Sequence, residues 1–180
     1  MPSGETLIIG CGNLLHGDDG VGPTLIRHFW ARGVPDHVRL VDGGTAGMDV
    51  AFQMRGASEV VLIDACRSGN EAGTLYKLPG EAVETLPPLD DLDLHAFRWD
   101  EALAFARWLL KDAYPETITV YLIEIETIEP GVPLSAPVDA AMHDLIDRLQ
   151  RIYGAAADAT ADVPESAPSS VTTSAKASSA

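Results

Sequence analysis

Thr6-Leu7-Ile8-Ile9-Gly10, followed by Cys11-Gly12-Asn13-Leu14-Leu15-His16-Gly17-Asp18-Asp19 and then Gly20 to Arg32, sets the fold class. The first five residues are an apolar run ended by glycine, the pattern of a strand buried on both faces. Gly20–Arg32 follows as a helix, with Pro23 in the first turn, where a missing N–H costs nothing. Between them lies a polar, glycine-rich loop carrying two adjacent carboxylates.

The same alternation continues outward. His37–Asp42 reads as a second strand ending at Gly43-Gly44, and Met48–Arg55 as a short helix. Glu59–Asp64 reads as a third buried strand and Gly73–Lys77 as a short edge strand. Pro79–Leu94 is a proline- and acid-rich connector. Asp100–Lys111 has an apolar stripe at helical spacing through Leu103, Ala106, Trp108, Leu109 and Leu110. Thr117–Ile123 is the last strong strand and Val138–Tyr153 the closing helix. Apolar strands alternating with amphipathic helices predict a parallel sheet covered on both faces, an α/β domain. Such sheets work at the carboxyl ends of their strands. Those ends carry Cys11–Asp19, Asp42–Gly47, Asp64–Ser68 and Glu124–Ser135. Trp30, Trp99 and Trp108 read as packing residues, and His28, His37 and His143 as structural.

After Tyr153 the composition changes. Residues 155–180 hold nine alanines, six serines, three threonines and two prolines, with no aromatic residue. That composition cannot bury enough surface to offset ordering entropy and predicts a disordered tail. The expected division is a domain of residues 1–153 and a tail of 154–180. Twelve basic against 27 acidic residues give a net charge of −15. This excess of acid excludes general nucleic-acid or anionic-membrane binding, which needs Lys and Arg facing phosphates. Only Cys11 and Cys66 are present, too few for a disulfide framework. The polar N-terminus has no signal-peptide n-region, and no apolar run reaches membrane-spanning length. The expectation is a cytoplasmic protein with reduced thiols.

Two chemistries compete for the loops. Gly10-x-Gly12 with Asp42 after the second strand mimics a dinucleotide fingerprint, but the third glycine would fall on Leu15. Asp18 and Asp19 stand where a pyrophosphate would approach, with no basic residue to compensate. A metal site is the stronger reading: Asp18, Asp19, Asp64 and a histidine give a mixed oxygen and nitrogen shell suited to borderline divalent ions such as nickel or zinc. Each residue also has a structural role open to it. Asp19 could cap the helix, Asp64 could be a turn residue and His95 a loop histidine. Cys66 as a thiol nucleophile is a further reading, against that of a small buried thiol. His16 is most simply a loop residue.

Taken together, the loops resemble a known family. Ile8-Ile9-Gly10-Cys11-Gly12-Asn13-Leu14-Leu15 with Asp18-Asp19-Gly20-Val21-Gly22 resembles the opening motif of the hydrogenase maturation proteases. Asp42-Gly43-Gly44-Thr45-Ala46-Gly47-Met48 resembles their second motif, and Leu62-Ile63-Asp64-Ala65 their third. Glu129-Pro130 through Leu134-Ser135 and Pro137 resembles a fourth. The resemblance implies a three-layer α/β/α fold around a mainly parallel, roughly five-stranded sheet. It also implies an acid/acid/His metal shell of Asp19, Asp64 and His95. Asp19 stands where the family often has Glu, one methylene longer.

The implied reaction is a single peptide-bond cleavage that removes the C-terminal extension of a [NiFe] hydrogenase large-subunit precursor after nickel insertion. The nickel is supplied by or shared with the substrate, and the enzyme is expected to be monomeric. Asp19 and Asp64 are the catalytic candidates. Asp42, Gly43, Gly44 and Thr45 are the substrate-contact candidates. The alternative on the same fold is a non-catalytic nickel or hydrogenase assembly chaperone.

Overall fold

The computed structural model describes residues 4–45, 47–84 and 99–154. Its elements run β1 (Glu5–Cys11), a 3-10 turn (Gly17–Gly20), α1 (Val21–Arg32), β2 (Val38–Gly44), α2 (Gly47–Gln53) and β3 (Ala57–Cys66). They continue with β4 (Leu75–Pro79), α3 (Gly80–Glu84), α4 (Trp99–Leu110), β5 (Thr117–Glu124) and α5 (Ala136–Tyr153). The five strands form one sheet in the order β2-β1-β3-β5-β4. The first four are mutually parallel, and β4 runs antiparallel on the edge of β5.

The alternating faces of the apolar strands build two cores. Leu7, Ile9, Val60, Leu62, Val120 and Leu122 meet Val50 and Ala51 of α2, Val83 of α3, and Leu103 and Ala106 of α4. Ile8, Val61, Ile63, Tyr121 and Ile123 meet Leu25 and Phe29 of α1 and Met142, Leu145 and Leu149 of α5. Helices on both faces make the three-layer α/β/α architecture. Fully burying one such aliphatic side chain contributes about 1.5–3 kcal/mol, so these strands hold only this register. Register fixes the working edge: Gly10 at the end of β1 lies between Asp42 of β2 and Ile63 of β3.

Some sequence expectations need correction. Of the connector expected over Pro79–Leu94, Pro79 closes β4 and Gly80–Glu84 form α3, while residues 85–98 lie outside the described residues. The edge strand starts at Leu75, because Gly73 has φ of +84° and leaves the extended region. Trp30 and Trp108 are exposed. Phe29 takes the inward position on α1, and Trp108 lies on the outer side of α4, stacked on Phe105. The side chain of Trp99 and the tail, 155–180, lie outside the described residues. His28 and His143 pack edge to face with ring centroids 5.2 Å apart. Among the described residues, no helix is long and apolar enough to cross a membrane.

Candidate functional site

The glycines of the first loop are used by the chain itself. A Cβ on Gly10 would lie 2.2 Å from the carbonyl oxygen of Gly22, and one on Gly22 would lie 2.2 Å from that of Cys11. Helix α1 therefore starts hard against the end of β1. Gly12 has φ of +127°, and a Cβ there would meet the Asp19 carbonyl oxygen at 1.8 Å. These contacts account for the glycines without a phosphate, and they seat the turn that carries Asp18 and Asp19 on the strand end.

Four carboxylates at this edge of the sheet are buried: Asp18 is 0% exposed, Asp19 8%, Asp64 7% and Glu124 1%. Burying a carboxylate is costly unless it is hydrogen-bonded or meets a cation. Their hydrogen bonding separates them. Asp18 Oδ1 accepts the Ser135 N–H at 2.6 Å. Its Oδ2 accepts the N–H groups of Glu126 and Thr127 and the Ser135 hydroxyl at 2.9–3.0 Å. Both oxygens are thus occupied within the protein, and Asp18 is not available as a ligand in the way its sequence position suggested. Asp19 differs. Its Oδ2 accepts the Asn13 N–H at 2.9 Å, and among the described residues Oδ1 has no hydrogen-bond partner. The helix-capping alternative fails, since α1 is capped at Gly20 with no side-chain bond.

Asp64 lies near the end of β3, where its Oδ1 accepts the adjacent Ala65 N–H at 2.8 Å. Gly10 pairs with Asp42 on one side and with Ile63, the neighbour of Asp64, on the other, so both carboxylates flank the end of β1; burial, then the charges of Asp64 and Asp42, push the Cys11 thiol well above its ordinary range. The backbone of Gly22 presses against the Ile63 carbonyl, which brings the start of α1 beside Asp64. Asp42 is exposed and accepts the Gly44 N–H at 3.0 Å. Gly12 N–H donates to Gly44 O at 2.9 Å, joining this loop to the first. A Cβ on Gly43 would strike Ile9 and Cys11 at 2.8–2.9 Å, so the loop lies flat beside β1. Thr45 is exposed at its tip.

His95 lies outside the described residues, so the expected acid/acid/His shell is represented here by its two acids. Among the described residues, no group of three His, Cys, Asp or Glu side chains is placed to hold a metal ion. The donor types present suit the oxygen half of such a shell: buried Asp64 near the end of β3, and buried Asp19 in the turn packed on the end of β1, with an oxygen to spare.

Glu124, at the end of β5, is a residue that sequence pattern alone does not single out. Its Oε1 accepts the N–H groups of Ser68 and Gly69 at 2.7 and 2.9 Å. Its Oε2 accepts the Ser68 hydroxyl at 2.7 Å, with Tyr76 Oη at 3.4 Å and Cys66 Sγ at 3.6 Å. Burial alone would raise its pKa, but the Ser68 and Gly69 donors outweigh burial and hold it below the usual carboxylate value. Glu124 so fastens the loop that leaves Asp64. The only sequence signal was an acid ending an otherwise apolar strand. Cys66 is affected in the opposite sense: burial, then the Glu124 carboxylate, push its thiol far up. A thiolate nucleophile is disfavoured there.

Comparison with known proteins agrees with this architecture. The sequence model of the hydrogenase maturation proteases (HycI) matches residues 23–152, well over half of the chain. The hydrogenase 2 maturation protease of Escherichia coli K12 is 28% identical over 145 residues, covering 79% of this chain and 87% of its own. The hydrogenase expression/formation protein HoxM of Azotobacter vinelandii is 31% identical over 144 residues, covering 79% and 69%. Among solved structures, the hydrogenase maturating endopeptidase HybD from E. coli superposes with a TM-score of 0.70 at 26% identity, over 82% of this chain and 91% of that one. The chain belongs to the hydrogenase maturation protease family.

Proposed function

We propose that this protease is a nickel-dependent endopeptidase that removes the C-terminal extension of a [NiFe] hydrogenase large-subunit precursor once nickel is in place. The observation that carries the reading is the pair of buried carboxylates in a chain of this family, Asp64 near the end of β3 and Asp19 in the turn packed on the end of β1. Asp19 keeps one oxygen without a hydrogen-bond partner among the described residues. Nickel belongs to the substrate here. Asp19, Asp64 and His95 would meet it as a mixed oxygen and nitrogen shell, which suits a borderline ion. Recognising the metal in this way would restrict cleavage to precursor that already carries it.

Two routes to hydrolysis are consistent with these residues. The substrate's metal can polarise the scissile carbonyl or acidify a bound water. Alternatively, Asp19 or Asp64 can act as general base on the water. The flat Gly43–Gly44 loop would form the wall along which an extended peptide runs, with Asp42 and Thr45 exposed beside it. The experiment is to assay Asp64→Asn and His95→Ala on nickel-loaded precursor by mass spectrometry. Both should lose processing while melting close to the parent enzyme. Normal processing by either variant removes that residue from the site.

A further inference from the structure

The reaction as proposed uses Asp19 and Asp64 and leaves Asp18 without a part. Yet both oxygens of the Asp18 carboxylate are occupied by hydrogen bonds from another loop. Its oxygens gather three backbone N–H groups and one hydroxyl from residues 126–135, more than a hundred positions away in sequence. Its own N–H donates to Thr127 O at 3.0 Å, and Gly131 N–H donates to Leu15 O at 2.8 Å. Loop 126–135 is therefore bound to the first loop at Leu15 and at Asp18. A buried charge is not the simplest means of joining two loops, since apolar contacts of similar volume often stabilise as well. What the carboxylate adds is geometry: four donors converge on two oxygens and leave Asp18 one orientation.

The next residue in the same 3-10 turn is Asp19. Its N–H donates to His16 O at 3.2 Å, and its carbonyl rests against Gly12. With Asp18 locked on one side and its own carbonyl against Gly12 on the other, Asp19 directs its carboxylate to Asn13, whose N–H it accepts. We propose that Asp18 is a positioning residue for the cleavage: by tying loop 126–135 to the turn Gly17–Gly20, it holds the Asp19 carboxylate in its working orientation. Asp18 touches no substrate and exchanges no proton. The inference rests on Asp19 having the role proposed above.

The test compares Asp18→Asn, Ser135→Ala and Asp19→Asn in steady-state processing of nickel-loaded precursor, together with the Asn13 amide signal in 1H–15N spectra. An amide at position 18 sets an N–H₂ group against at least one backbone N–H. Misplacing a reacting group by about 1 Å costs roughly 10- to 100-fold, so kcat of Asp18→Asn should fall by that factor with KM nearly unchanged. Ser135→Ala removes one hydrogen bond and should lower kcat by about two- to fivefold. In both, the Asn13 amide should shift, because it reports the bond to Asp19. A purely structural role would lower the melting temperature and leave kcat and the Asn13 signal in place. Folded Asp18→Asn with full kcat overturns the proposal. If Asp18→Asn does not fold, Ser135→Ala with parental kcat and an unmoved Asn13 signal overturns it as well. Full activity of Asp19→Asn instead overturns the reading of Asp19 itself.

Discussion

Glu124 offers a perturbation whose size can be worked out donor by donor. In Glu124→Gln the amide oxygen can keep both bonds made by Oε1, from the N–H groups of Ser68 and Gly69. The amide nitrogen then replaces Oε2, where it faces the hydroxyls of Ser68 and Tyr76. Hydroxyls can reverse and accept, so these contacts survive in altered polarity. What is lost is charge assistance, the difference between bonds worth about 1.5–3 kcal/mol and neutral ones near 1 kcal/mol. The expected loss of stability is about 1–2 kcal/mol. Glu124→Ala leaves the partly buried N–H groups of Ser68 and Gly69 without a protein acceptor and opens a cavity at the strand end, so a larger loss, about 2–4 kcal/mol, is expected.

The pH dependence carries a sign. The Glu124 pKa is held below its unfolded value, so its contribution is complete at neutral pH. It begins to fade as pH falls through the unfolded carboxyl value near 4.3 and is lost as pH falls through the lower folded value. Glutamine does not titrate there, so the deficit of Glu124→Gln relative to the parent should shrink on going from neutral pH into this acid range. Urea unfolding followed by circular dichroism between neutrality and mild acid measures both effects. A Gln variant as unstable as the Ala variant would refute the donor accounting. A deficit that stays constant with pH would refute the role of the charge.

Further expectations follow from other contacts. Gly12→Ala combines φ of +127° with a 1.8 Å approach to the Asp19 carbonyl; it should cost at least about 2–3 kcal/mol and impair processing. A thermal melt unchanged from the parent would show that the loop can relax around the methyl group. Cys66 should react with Ellman's reagent in the folded state far more slowly than a free thiol, because burial and Glu124 suppress its thiolate; labelling at the rate of a free thiol would contradict that setting. The Arg32–Asp147 pair is partly exposed on both sides, so Arg32→Ala should change stability by less than about 1 kcal/mol. A larger loss in urea unfolding would give that pair a role not seen in its surroundings.

The architecture was legible because its signals are local and redundant. The runs at Thr6–Gly10, Glu59–Asp64 and Thr117–Ile123 are apolar without interruption, and only a sheet covered on both faces accepts such strands. The same rule points to the carboxyl ends of the strands, where Asp42 and Asp64 lie near the ends of β2 and β3 and Asp19 in the turn packed on the end of β1. What pairing pattern alone decides was harder to see. Asp18 and Asp19 are chemically identical neighbours, yet one is consumed by loop 126–135 and the other is not; no local feature distinguishes them. Glu124 reads as the polar end of a strand until its five partners from Cys66, Ser68, Gly69 and Tyr76 are brought together. Trp108 fitted the apolar stripe of α4 by spacing, but large aromatic residues also occur on outer faces, where Phe105 gives it a stacking partner. His95 falls outside the described residues, so its place beside Asp64 rests on the family resemblance.

The central claim is that cleavage waits for the metal in the substrate. The direct measurement is to incubate the purified protease with nickel-loaded and nickel-free large-subunit precursor and follow intact mass. The expected result is loss of the C-terminal extension from the loaded precursor alone. Equal cleavage of both forms would contradict the dependence on nickel, and no cleavage of either would contradict the proposed substrate.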